Sequence, residues 1–125
     1  MPQSGLGVLL RQLREGRGLS LREVGQLCSV DHAYVHRLET GEKEAPSPEI
    51  LTKLLRVLKA DDRQSGMARW LAEHAETDPA LVEYSLGDGT VSLEIFTAAA
   101  GVRHRGSARP DPATLITRVR RAFEE

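Results

Sequence analysis

Residues 19–41 read LSLREVGQLCSVDHAYVHRLETG, and the spacing inside this stretch decides the fold. Ser20-Leu21-Arg22-Glu23 is a Ser-x-x-Glu capping box, in which hydroxyl and carboxylate each satisfy a backbone N–H that a helix start leaves orphaned. Leu21, Val24, Leu27 and Cys28 follow at helical spacing and predict the buried stripe of a short helix. The apolar period breaks at Ser29-Val30-Asp31. Asp31 can then cap a helix from His32 to Thr40, with Val35 and Leu38 inward and Gly41 just past its end. A helix, a three-residue break and a second short helix form the arrangement that places one helix in the major groove of duplex DNA.

Outward from this stretch the pattern stays helical. Leu6, Leu9, Leu10 and Leu13 share one face of a helix over 6–15, which Gly16 and Gly18 stop. Downstream, 42–46 is a polar loop. Ser47-Pro48 supplies a cap followed by proline at the first helical position. Ile50, Leu51, Leu54, Leu55 and Leu58 then form a strongly amphipathic helix. Asp61 or Asp62 caps a fifth helix, with Met67, Trp70 and Leu71 on one side. Asp78-Pro79 opens another. Two readings of 81–96 stand side by side. Val82, Tyr84, Leu86, then Gly87-Asp88-Gly89, then Val91, Leu93 and Ile95 alternate as a β-hairpin would. The run from Phe96 to Ala100 with Gly101 behind it, and the four-residue steps Val91, Ile95, Ala99 and Val102, favour helix. Arg103, His104, Arg105 and Arg109 mark a basic loop, solvated or against phosphate. Asp111-Pro112 caps a last helix with Leu115, Ile116, Val119 and Phe123 on its stripe.

Composition supports the same class. Hydrophobic residues make up 40% and charged residues 28%, which is globular composition. Aromatics are only 4%, so the core rests on aliphatic side chains, which suits helices better than a sandwich of strands. The single cysteine, Cys28, builds no disulfide framework or zinc quartet, and is expected to be a small buried hydrophobe in a reducing, cytoplasmic setting. No signal-peptide pattern and no apolar run of membrane-spanning length is seen. The net charge of −1 argues against a non-specific polyanion coat. Residues 1–60 carry nine Lys and Arg against seven acids, and the rest carries eight against eleven.

The expected outward face of the His32 helix presents His32, Ala33, Tyr34, His36 and Arg37. Arginine can grip guanine O6 and N7 with two hydrogen bonds, and alanine can sit against a thymine methyl. His32 and His36 stand four apart but have no third ligand in the pattern, so no metal is expected. No nucleophile–base order, carboxylate pair or phosphate loop stands out, so the chain reads as no enzyme and needs no cofactor.

From Leu6 to about Asp62 the chain resembles the XRE family, the helix-turn-helix domain shared by lambda-type phage repressors. The residues that carry the resemblance are Leu9 to Arg14, Leu19 to Gly25, Tyr34 to Gly41 and Pro46-Ser47-Pro48. It implies an all-α fold: a five-helix helix-turn-helix domain over 1–60, then a small helical region over 61–125 for dimerisation or partner binding. It implies base contacts at His32, Ala33 and Arg37, and backbone contacts at Leu21, Arg22, Tyr34 and Lys43. It also pairs Arg14 with Glu39 as a structural ion pair. Three positions depart from the family. Leu21 stands where a phosphate-binding glutamine is common, which passes that work to Ser20 or Arg22. Ser29 replaces a turn glycine, which predicts slight strain. Gly25 replaces a small alanine, which weakens the helix a little and permits close helix contact.

The function expected is a sequence-specific double-stranded DNA-binding repressor, acting as a homodimer on a palindromic operator. One short helix reads too few bases for useful selectivity, so a dimer follows. Stripes around Trp70, Leu71, Leu115 and Val119 are candidate interfaces. The alternatives are an antitoxin-like protein with a bound protein partner, a regulator with a small-molecule effector on its C-terminal half, and an adaptor that has lost DNA binding.

Overall fold

The computed structural model describes residues 3–43, 45–102 and 110–124. Arg103, His104, Arg105 and Arg109, singled out above as a basic loop, lie outside the described residues. Among these residues the structure is all helix: α1 (Gly5–Gly16), α2 (Leu21–Cys28), α3 (His32–Thr40), α4 (Pro48–Val57), α5 (Asp62–Glu73), α6 (Pro79–Gly87), α7 (Leu93–Ala100) and α8 (Pro112–Phe123).

Each helix starts on a serine or aspartate whose side chain accepts a backbone N–H of the first turn. The caps are Ser4, Ser20, Asp31, Ser47, Asp61, Asp78, Ser92 and Asp111. Such a cap contributes about 1 kcal/mol over alanine. Proline follows at the start of α4, α6 and α8, where its missing N–H costs nothing. Three helices end alike. Behind α1, α2 and α4 the chain turns through a left-handed residue: Gly18, Ser29 and Lys59. The next N–H reaches back five residues in each, Leu19 to Arg14, Val30 to Gly25 and Ala60 to Leu55. This is the Schellman closure, which satisfies carbonyls a helix end otherwise exposes.

Residues 81–96 are helical and not a hairpin. Leu81, Val82 and Ser85 share the buried face of α6, whereas Tyr84 and Leu86, which alternation pairs with Val82, are only partly buried. Asp88 turns the chain by accepting from the N–H and hydroxyl of Thr90, and Ser92 starts α7. Arg63 on α5 closes this corner from a distance. Its Nη1 donates to the carbonyls of Ser85 at 2.9 Å and Val91 at 3.0 Å.

The buried residues form one apolar cluster from Leu6 to Val119. α1 is its hub, packing on α3, α5 and α6. The approach is tight enough that a Cβ on Gly7 would meet the backbone oxygens of Glu39 and Leu38 at 2.5 and 2.7 Å.

Several expected inward residues face water. Leu27 is 61% exposed. At 100° per residue, Val24, Gly25 and Cys28 share one arc of α2, and α3 packs on the Gly25 side of that arc, which leaves Leu27 about a sixth of a turn outside it on the opposite side. Phe123 is half exposed because the last turn of α8 runs past the core that Leu115, Ile116 and Val119 enter. Val102 is exposed because α7 stops at Ala100 before reaching it. Conversely, the candidate interface residues Leu71, Leu115 and Val119 are buried inside the chain's own core, and Trp70 is half-buried. Trp70 stacks on His74 at 3.8 Å and meets Phe96 edge-on.

Candidate nucleic-acid interface

The candidate interface is the corner where α2 meets α3. The Ser20 hydroxyl accepts from the Glu23 N–H at 3.0 Å, and the Glu23 carboxylate accepts from the Ser20 N–H at 2.9 Å. That bond to the Ser20 backbone holds the Glu23 carboxyl below its ordinary range. At the other end Ser29 occupies the left-handed region at φ 59°, ψ 40°. A residue with a Cβ costs about 1 kcal/mol there relative to glycine.

The short turn drops the start of α3 directly onto α2. A Cβ on Gly25 would lie 2.8 Å from the Val30 oxygen, 3.0 Å from the His32 nitrogen and 3.2 Å from its Cα. The packing is therefore closer than an alanine permits, and the close helix contact expected of Gly25 is present. Asp31 caps α3 by accepting from the Ala33 N–H at 2.9 Å, and its carboxylate lies 3.6 Å from His32 Nδ1.

Val35 and Leu38 anchor the inner face of α3 in the core. Arg14 clamps its far end. Arg14 Nε and Nη2 donate to the two Glu39 carboxylate oxygens at 2.7 and 3.0 Å, and Nη1 donates to the Leu19 carbonyl at 2.9 Å. Both side chains are largely buried, and the bond to Glu39 raises the Arg14 pKa. This two-bond geometry fixes the helix in rotation as well as distance. It ties α3 to α1 and, through the same arginine, to the turn that precedes α2.

The outer face is a different population. His32, His36, Arg37, Arg22 and Lys43 are exposed, and Ala33 and Tyr34 are half-buried beside them. Burial raises the Tyr34 hydroxyl pKa. Ser20 is exposed at the N-terminus of α2, its oxygen engaged by the cap and its hydroxyl proton able to donate outward. Leu21 is half-buried. The corner thus carries three exposed nitrogen-bearing side chains on the first two turns of α3, with Arg22 on α2 and Lys43 past the end of α3. Of the acids beside them, Glu39 is buried against Arg14, Glu23 and Asp31 are exposed and each accepts a backbone N–H, and Glu42 is exposed next to Lys43. Cys28 sits beneath this surface as a free buried thiol, its pKa raised by burial.

Sequence reasoning missed two structural supports. Gly7 marks a contact with the backbone at the end of α3, which no local pattern encodes. Arg63 reaches two carbonyls more than twenty positions away. Among the described residues no group of three His, Cys, Asp or Glu side chains is arranged to hold a metal, and no helix is long and apolar enough to cross a membrane.

Comparison with curated proteins gives no match. Residues 5–65 match the family model described as a helix-turn-helix domain, a span that begins with α1 and ends in the first turn of α5. This part of the chain is similar to that helix-turn-helix family, consistent with the XRE-like resemblance of its sequence.

Proposed function

We propose that the chain is a sequence-specific regulator of transcription that reads double-stranded DNA with α3 and represses as a homodimer on a palindromic operator. In this reading His32, Ala33, His36 and Arg37 face base edges, while Ser20, Arg22, Tyr34 and Lys43 meet the phosphate backbone. Residues 1–60 are the reading head, and 61–125 serve self-association. The observation that carries it is the two-sided character of α3. Its inner face is sealed by Val35, Leu38 and the Arg14–Glu39 pair, and its outer face carries exposed cationic and imidazole side chains. A rigid short helix with a donor-rich outer face suits a groove about 12 Å wide. Dimerisation supplies the second half-site, about 34 Å along the duplex.

The test is selection of duplexes from a random-sequence library by the full chain at two salt concentrations. A palindrome should emerge, bound by a dimer in sedimentation, with affinity falling steeply as salt rises. Arg37→Ala should lose about 1–3 kcal/mol of specific binding. Absence of any enriched sequence at either salt would remove this function.

A second reading concerns α5–α8. A cavity of about 650 Å³ lies there, with Trp70, His74, Leu81 and Leu115 in its wall. Its size and mixed wall suit a small-molecule effector. A melting shift of the full chain against a metabolite set, abolished in Trp70→Ala, supports that reading; no shift with any compound removes it.

A further inference from the structure

Gly5 and Gly7 stand two residues apart on the first turn of α1, about 200° around its axis, so they face nearly opposite ways. Both are buried. On the Gly7 side a Cβ would meet the carbonyl oxygens of Glu39 and Leu38, in the last turn of α3. On the Gly5 side a Cβ would lie 2.9 Å from Leu71 Cδ2 and 2.9 Å from Val82 Cγ2, the tips of side chains on α5 and α6. The first turn of α1 is therefore one bare backbone thick, held between α5 and α6 on one face and the end of α3 on the other. Neither glycine has a side chain to absorb a displacement by changing rotamer, and a close-packed interior transmits it instead. The residues behind Gly5 are firmly set. Leu71 and Val82 are both buried in the core, and valine is stiff at χ1.

The two ends of α3 are held by different parts of the chain. Its start is fixed locally, by the Asp31 cap and by Gly25 against Val30 and His32. Its end is fixed by α1, through Gly7 against the Glu39 carbonyl and Arg14 on the Glu39 carboxylate. The first turn of α1 is in turn seated by Leu71 and Val82, and both lie beyond residues 5–65, the span similar to helix-turn-helix domains.

We propose that Leu71 and Val82 are positioning residues for the reading helix: by seating the first turn of α1 they set where the last turn of α3 stands, and with it Arg37 and Lys43. This step rests on the DNA-reading function proposed above. Because the start of α3 is pinned, loosening the seat pivots the helix, and Arg37 moves in the groove more than His32 does.

The experiment uses the full chain and the duplex that it selects from a random-sequence library. Val82→Ala withdraws the Cγ2 contact. Val119→Ala removes the same two methyl groups from α8, a helix that packs on α6 and α7. Both variants are compared at a temperature where circular dichroism shows them folded. Val82→Ala should weaken the selected duplex about fivefold. Combined with Arg37→Ala, it should cost clearly less than the two separate losses multiplied, because a displaced Arg37 has less to lose. Combined with His32→Ala, the losses should multiply, and Val119→Ala should multiply with either. A second readout needs no DNA. In Val82→Ala, hydrogen exchange should quicken at the Glu39 and Thr40 amides and at Arg14 Nε–H, while Val35 stays protected. In Val119→Ala those sites should exchange as in the parent. If Val82→Ala does not fold, Leu71→Val, which draws back the Cδ2 contact, is read in the same way. The proposal is overturned if exchange at Glu39 and Thr40 is unchanged in the folded variant, or if Val119→Ala quickens it equally. Full multiplication of the Val82→Ala and Arg37→Ala losses overturns it as well. A parent chain that selects no duplex overturns the DNA-reading function instead, and the exchange readout then decides whether Val82 seats α3.

Discussion

Two corners of this molecule do the same job by different means. Between α2 and α3 the chain turns through Ser29, Val30 and Asp31, closed by a Schellman bond, an aspartate cap and the bare Cα of Gly25. Between α6 and α7 it turns through Asp88 to Ser92, and the turn is secured from outside by Arg63, which holds the Ser85 carbonyl before it and the Val91 carbonyl within it. The first corner is built from neighbours in sequence. The second depends on a side chain from another helix. A locally determined corner can be read from its own residues, and a remotely held one cannot. In the proposed function the first is also the corner that presents α3 to DNA in a fixed orientation, which short covalent connections secure most directly.

The largest effect expected comes from Gly25→Ala. The added methyl meets the backbone of Val30 and His32, which cannot swing aside as a flexible side chain would. A loss of about 2–3 kcal/mol is expected in urea denaturation, even after the gain of about 1 kcal/mol that alanine brings inside a helix. A neutral or stabilised variant would show the corner to be looser than this geometry.

Arg63→Ala should cost about 2 kcal/mol, since it strips two carbonyls of a charged donor. Amide exchange should quicken first around Val91 and leave α2 and α3 protected. Uniform loss of protection would mean that the second corner is not held separately.

Ser29→Gly should act in the opposite direction, raising stability by about 1 kcal/mol because glycine relieves the left-handed strain. Lys59→Gly, at the equivalent turn behind α4, should behave similarly. A midpoint shift to lower urea in both would refute the strain argument.

The smallest effect is on pH. Glu23, at the start of α2, and Asp88, at the second corner, are carboxylates with lowered pKa: Glu23 chiefly through the Ser20 backbone N–H, Asp88 chiefly through the Thr90 hydroxyl. A depressed folded-state pKa contributes stability above the ordinary carboxylate range near pH 4, lost as pH falls through the folded value. Melting should therefore be flat for these groups above about pH 5 and decline below pH 4. Glu23→Gln and Asp88→Asn should flatten part of that decline, and an unchanged acid profile in both would count against these caps.

The helices and their starts were legible because the information is local. Ser20 with Glu23, Asp31, Ser47-Pro48, Asp78-Pro79 and Asp111-Pro112 each satisfy their own first turn, and the leucine periods around them need no distant partner. The outward side chains of α3 were legible too, once Val35 and Leu38 were assigned inward. The orientation of α2 was not. Leu27 and Cys28 are equally apolar, and only the face to which α3 is drawn by Gly25 decides which of them is buried. The stretch 81–96 stayed open between helix and hairpin because its spacing fits both, and the partner that helps to settle it, Arg63, is remote in sequence.

By itself, then, the sequence determined six capped helix starts, a three-residue turn and the outward side chains of α3, since capping and periodicity act within one or two turns of chain. Tertiary structure alone decided which apolar faces are interior, how closely α1 and α2 approach α3, and which acids on the reading face are already occupied. Those outcomes depend on contacts such as Arg63 with the Ser85 and Val91 carbonyls and Gly7 with the end of α3, whose members lie far apart in the chain and meet only when the core closes.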